Sequence, residues 1–379
     1  MNMRFVGAEV LTSAGLARSA LGVSQGVIGV QGAEKIVDLS GFMVLPGIVD
    51  VHGDGFERHL APRRGAIRDL GRGLIATEAE LAANGITTAI LAQFYSWEGG
   101  MRGPKFAARM FAALDEVGAR VVTDMRPQLR FETHLLAEYE TVLALVAAHD
   151  IAYVVFNDHL PHKRLAAGKR PARLTGQALK SGRSPEAHLA MLMEMHAQGD
   201  AVCEALPQLA EALRTRGVRI GSHDDNSAAD RDIWRARGAR ISEFPETFEA
   251  AEAARSGGDA VVLGAPNVVR GGSHKGNADA VDLVAAGLCD ALASDYHYPS
   301  LAGAAFALAD AGVVDFAQAW GLISDGPARI LGLTDRGQIA TGMRADLVII
   351  EQATRRICAT IVAGKVSYMS GEVAARFIG

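Results

Sequence analysis

The stretch Leu45-Pro46-Gly47-Ile48-Val49-Asp50-Val51-His52-Gly53-Asp54 decides the fold: an apolar run ends in a histidine and a carboxylate two residues apart. Side chains at i and i+2 of a β-strand share a face, so His52 and Asp54 aim into one cavity, as a pair of metal ligands does. A single His-x-Asp is more often a strand that simply ends in polar residues, and the rest of the chain has to decide. Four further apolar or mixed runs also stop at a potential ligand: Gln128 to Glu132, Ile151 to His159, Val218 to Asp225 and Ala291 to Asp295. Each sets an imidazole or a carboxylate at the C-terminal end of an expected strand, the face on which β/α barrels carry their active sites.

Working outward, expected strands end near Asp54, Leu91, Glu132, His159, Asp225, Phe244, Ala265 and Asp295, the eight of a barrel. Between them lie expected helices over 77–84, 106–117, 138–149, 185–199, 206–216, 245–255 and 300–311. Strand and helix alternation of this kind predicts an α/β fold, a TIM-like (β/α)8 barrel of parallel strands with crossover helices. The basic, Gly- and Pro-punctuated segment 160–183 is expected to form a loop or lid.

Both ends of the chain read differently. Short β segments at 8–12, 27–30 and 35–39 bury too little to stand alone, and matching segments follow at 345–350, 357–362 and 365–369. The expectation is one small β-sandwich domain from residues 1–45 and 335–379, with the barrel over 46–334.

Bulk properties bound the function. The 379 residues are 49% hydrophobic and 21% charged, which excludes a disordered chain, and no apolar run approaches the roughly 20 residues of a membrane span. The N-terminal residues lack a long apolar export core, so a cytoplasmic location is expected. Cys203, Cys289 and Cys358 are far apart and odd in number, as reduced thiols are. A net charge of −5 speaks against nonspecific nucleic-acid binding, and neither a nucleic-acid nor a membrane partner is expected.

Further motifs carry a resemblance. They are Glu57-Arg58-His59, Pro62-Arg63, Asn84-Gly85-Ile86-Thr87-Thr88, Gly221-Ser222-His223-Asp224-Asp225, Glu243-Phe244-Pro245, the block Gly264 to His274, Ala293-Ser294-Asp295-Tyr296 and Gly342 to Leu347. With the opening stretch, they make the sequence similar to the amidohydrolase superfamily of metal-dependent hydrolases over nearly its whole length. Within it the chain resembles the PhnM-like subgroup, diphosphatases of phosphonate degradation that act on α-D-ribose 1-methylphosphonate 5-triphosphate. Most of the superfamily has His-x-His on the first strand and a carboxylated lysine between two metals, where this chain has Asp54 and Glu132. The subgroup often has His-Thr-Asp-Asn where His52-Gly53-Asp54-Gly55 stands here.

The resemblance implies two divalent metal ions, with Zn, Mn, Fe and Ni all compatible with the donor types. The implied ligands are His52, Asp54, Glu132, His159, His223 and Asp295, with Glu132 as the bridge. Asp295 and His223 are the implied catalytic residues, Asp295 orienting or deprotonating a water whose pKa a bound ion lowers from 15.7 to about 7. Asp224, Asp225 and Glu243 are expected to orient ligands through hydrogen bonds.

For a small phosphorylated substrate, Arg58, His59, Arg63, Arg270, Ser273 and His274 are the expected contacts, with Arg64, Lys163, Arg164 and Lys275 as further cations near the mouth. His149, His188 and His196 read as structural or exposed, and His134 as a residue behind the ligands. The competing reading is a cyclic amidase or deaminase acting on C–N bonds of a small anionic substrate, because the same water-activating site serves both chemistries. A homo-oligomer is compatible with the family, although no stretch announces an interface.

Overall fold

The computed structural model describes residues 2–29, 35–61, 69–271 and 278–378. Its central element is an eight-stranded sheet in sequential order: β1 (Ile48–Gly53), β2 (Ile86–Tyr95), β3 (Asp124–Glu132), β4 (Tyr153–Asn157), β5 (Arg219–His223), β6 (Ile241–Glu243), β7 (Ala260–Gly264) and β8 (Ala291–Ala293). Pairings along it are parallel, and a bridge between Gly53 and Asp295 brings the last strand back to the first. This is the expected barrel. Strands covered on both faces become continuously apolar, and β1 and β2 are buried at every position.

By contact density the chain divides into two units: Met1–Leu91 with Glu116–Arg126 and Ala260–Gly379, and Ala92–Asp115 with Pro127–Asp259. The first contains the terminal sheets. One has four strands, in the order Val27–Ile28, Leu21–Ser24, Asn2–Val6, Lys35–Asp38; the other has six, in the order Lys365–Met369, Ile357–Val362, Leu347–Glu351, Phe42–Pro46, Glu9–Thr12, Gly15–Arg18. Phe5, Val37, Val44, Leu347, Ile349 and Ile361 share one core, so neither sheet exposes its apolar face. The terminal helix Gly371–Ile378 was not apparent from the sequence; it sets Phe377 against Phe5 with ring centroids 5.5 Å apart. Arg336 is buried and donates to Thr88 Oγ1 at 2.9 Å and to Asp124 Oδ2 at 2.6 Å.

In the second unit, caps explain where helices begin. Ser184 accepts the Ala187 N–H ahead of Pro185, Ser227 accepts that of Asp230, and Thr247 that of Ala250. The helix expected from Leu206 starts at Gly199 and passes through Pro207. Buried Val202, Leu206, Leu209 and Leu213 keep the helical spacing across that proline, and this apolar stripe outweighs the local break. Segment 160–183 is not a bare loop: helices His162–Ala166 and Leu174–Ser181 set Leu160, Leu165 and Leu174 into a core with Trp97, Leu192 and Met195. β2 runs on to Tyr95, beyond the expected end at Leu91, and Gln93 donates to the Phe94 and Met101 carbonyls there.

Candidate active site

In the first unit, the backbone itself joins β1 to β8. The Asp295 N–H donates to the His52 carbonyl at 3.0 Å, and the Asp54 N–H to the Asp295 carbonyl at 2.8 Å. His52 is buried and Asp54 and Asp295 are half-buried. Asp295 has φ +53°, a left-handed conformation that costs a non-glycine residue energy and is typical of side chains re-aimed at a site.

Beneath them lies Asp50, whose carboxylate accepts the Ser294 N–H at 3.0 Å and the Ser294 hydroxyl. Burial pushes the Asp50 carboxyl up, against the pull of those donors. Gly53 is required for this approach: a Cβ there would lie 2.6 Å from Asp50 Oδ2, 2.8 Å from Ser294 Oγ and 2.9 Å from the Tyr298 ring. A threonine at this position would therefore crowd Asp50, Ser294 and Tyr298 in this chain.

The expected phosphate contacts divide. Arg58 donates through Nη1 to the Tyr296 carbonyl at 3.0 Å, and Arg270 through Nη1 to the Tyr296 hydroxyl at 3.2 Å. Both guanidiniums thus converge on the residue after Asp295. Glu80 pairs with Arg58 and with His59. Arg63, Ser273 and His274, with Arg64 and Lys275, lie outside the described residues. Lys163 and Arg164 are exposed on the short helix His162–Ala166.

In the second unit, Glu132 ends β3 almost fully buried and pairs with His159 Nδ1. It also accepts the His159 N–H at 3.1 Å and the Trp97 indole N–H at 3.3 Å. Burial would lower the His159 imidazole, but Glu132 outweighs this and raises it. His223 has Arg130 Nη2 at 2.9 Å from Nε2 and Asp224 Oδ1 at 3.2 Å from Nδ1. The Arg130 guanidinium lies over the Phe94 ring at 3.8 Å. His159, His223 and Asp224 offer ligand atoms within 4.8 Å of one another, and Glu243 offers one at that range from His223.

Of the three residues expected behind the ligands, Asp224 and Glu243 are therefore ligand-competent themselves. Glu243 accepts from Gln128 Nε2 at 3.0 Å and from the Tyr153 hydroxyl at 2.6 Å. Asp225 serves the frame, where its Oδ2 accepts from Ser222, Ser242 and Arg231 at 2.6–2.9 Å. Asp224 and Phe244 take φ +60° and +54°, so β5 and β6 both end in left-handed turns that carry side chains.

His188 is buried against Trp97, as a structural histidine is, and His149 pairs with Asp115 at 2.6 Å. His134 and His196 do more than expected: each meets His162, a residue the sequence reading passed over, with ring centroids 4.9 and 5.0 Å away. Asp158 and His162, four apart in sequence, were the available signal. Cys203, Cys289 and Cys358 are free thiols.

Residues 272–368 match the family model described as "Amidohydrolase family". A curated relative from Escherichia coli (strain K12), "Alpha-D-ribose 1-methylphosphonate 5-triphosphate diphosphatase", is 34% identical over 85% of this chain and 87% of its own length. This chain belongs to that diphosphatase family, within the amidohydrolases. Solved structures share the fold at low identity. The β-aspartyl dipeptidase of Fervidobacterium islandicum AW-1 is 14% identical, covers 98% of each chain and has a TM-score of 0.64. The N-acetylglucosamine-6-phosphate deacetylase of Pasteurella multocida is 12% identical over 97% of this chain and 99% of its own, with a TM-score of 0.62. No described helix is long and apolar enough to cross a membrane.

Proposed function

We propose that this chain hydrolyses α-D-ribose 1-methylphosphonate 5-triphosphate to the 5-phosphate and pyrophosphate, a step of phosphonate breakdown carried out in the cytoplasm. The observation that carries this reading is the convergence of the Arg58 and Arg270 guanidiniums on Tyr296, beside Asp295, with Arg58 also paired to Glu80; guanidinium forks are the donors suited to polyphosphate oxygens. The relative's name supports the substrate class.

The donor set fits divalent metal: imidazoles and carboxylates stand at strand ends, with Glu132 and His52 buried, and a cation offsets the cost of burying that carboxylate. His52, Asp54, Glu132, His159, His223 and Asp295 are the proposed ligands for two ions drawn from Zn, Mn, Fe or Ni, with Asp224 and Glu243 beside them. Such ions supply Lewis acidity and an activated water.

Asp295, aimed by its left-handed backbone, accepts the proton of the attacking water. Water oxygen bonds to phosphorus as the bridging P–O bond breaks, and pyrophosphate leaves. Arg58 and Arg270 hold the triphosphate, and Arg130 fixes the His223 ring. In domain terms, the barrel over 46–334 holds the chemistry, and 1–45 with 335–379 form the smaller lobe.

The test is pyrophosphate release from the phosphonate triphosphate by metal-reconstituted protein, with ATP and a cyclic amide in parallel. Selective release from the phosphonate triphosphate is expected. Turnover of the amide alone would keep the water-activating site and overturn the substrate.

A further inference from the structure

A second group of metal-ligating side chains lies in the unit Ala92–Asp115 with Pro127–Asp259, and the proposed reaction makes no use of it. His134 stands in the turn after β3 and Asp158 in the turn after β4, while His162 opens the helix His162–Ala166. We propose that His134, Asp158 and His162 bind one first-row divalent cation, zinc being the natural probe, as a three-ligand site whose fourth position is open to solvent.

Spacing is the first argument. His134 Nδ1 lies 3.5 Å from Asp158 Oδ1, and His162 Nε2 lies 3.1 and 3.0 Å from the two Asp158 oxygens. Ligand atoms of the three residues all fall within 4.8 Å of one another. Around a tetrahedral ion with bonds of about 2.0–2.2 Å, neighbouring ligand atoms sit roughly 3.3–3.5 Å apart. Two imidazoles with one carboxylate form the donor set of open zinc and iron sites.

His196 supplies the second argument. On the helix Pro185–Ala197, it places its Nδ1 2.8 Å from His162 Nδ1. At that distance the two nitrogens share a proton. With that proton on His162 Nδ1, the Nε2 lone pair and the Asp158 carboxylate face one point, as two ligands of one cation do. Holding the remote ring nitrogen is how proteins orient a ligating histidine.

The surroundings provide access. A cavity of about 550 Å³ is lined by His134, Asp158 and His162 and also by His159, His223 and Asp224 of the active site, so the second group opens into the cavity those ligands share and has space for a water on the fourth position. His134 is buried at one wall, whereas His162 is partly exposed at the mouth.

The experiment uses the full chain, stripped by chelator and titrated with Zn²⁺ alone, with bound zinc counted per chain by elemental analysis. His162→Ala removes a partly exposed ring, and His134→Gln keeps volume at the buried position. Loss of one zinc equivalent relative to wild type in each variant is expected. Any other count in either variant, including the full wild-type value, overturns the site and leaves the four residues as a hydrogen-bonded relay.

Discussion

His52 and Asp295 are joined through their backbones, the Asp295 N–H donating to the His52 carbonyl at 3.0 Å. Because the Asp54 N–H returns to the Asp295 carbonyl at 2.8 Å, the backbone positions of the three expected ligands of the first unit are fixed by main-chain bonds that do not depend on their side chains. A change confined to one of these side chains should therefore leave the frame in place.

Asp295→Asn is the clearest case. It preserves shape and the backbone bonds and removes the proton acceptor, so kcat should fall by about 10²–10⁴-fold. Thermal melting should match wild type within error, and near-normal turnover would remove Asp295 from its assigned role.

Gly53→Thr tests the steric argument. Its Cβ would come within 2.6 Å of Asp50 Oδ2 and 2.8 Å of Ser294 Oγ, so overpacking should cost about 1–3 kcal/mol. Denaturant midpoints measure it, and a neutral result would show that Asp50 yields freely.

Arg270→Ala leaves the Tyr296 hydroxyl without its guanidinium donor and removes one cation from the proposed polyphosphate contact. KM for the triphosphate should rise by about 10-fold, in line with about 1.5 kcal/mol for a charge-assisted hydrogen bond. Steady-state kinetics at low and high salt read it. An unchanged KM would place the triphosphate elsewhere.

The Asp124 carboxyl gives a pH prediction. Burial alone would raise it, but Arg126 and Arg336 hold it down to about 2 from 3.8. A carboxyl depressed in the folded state contributes stability above its unfolded pKa and loses it as pH falls through the folded one, here between about 4 and 2. Asp124→Asn should therefore lower the melting temperature at pH 7 and flatten its fall below pH 4. An equal slope in both proteins would remove this pair from acid unfolding.

Sequence patterning revealed the barrel because apolar or mixed runs stop at an imidazole or a carboxylate, as in Val49 to Asp54 and Ile220 to Asp225, although β3 is nine residues long and carries Arg126 and Arg130. What sequence hid is what depends on turns and on distant partners. Asp224 and Phe244 take left-handed backbones that no composition announces, and this turn brings Asp224 to the ring of His223. His134, His162 and His196 come from a turn and two helices, and no single periodic segment holds them together. The run through Pro207 shows the opposite error, in which a local breaker is overruled by an apolar stripe.

The terminal lobe bears on how the chain is made. Pro46 pairs with Leu347, and Phe42 with Glu351, so the strand that leads into β1 has Glu9–Thr12 on one edge and, on the other, a sheet partner near the other end of the polypeptide. At about 5–20 residues per second, the ribosome delivers that partner on the order of tens of seconds after Phe42 has emerged. Until then one edge of Phe42–Pro46 waits unpaired, a nascent strand edge for a chaperone to hold. A premature stop anywhere before Leu347 would deprive the first-made lobe of half of its six-stranded sheet as surely as a deletion within it.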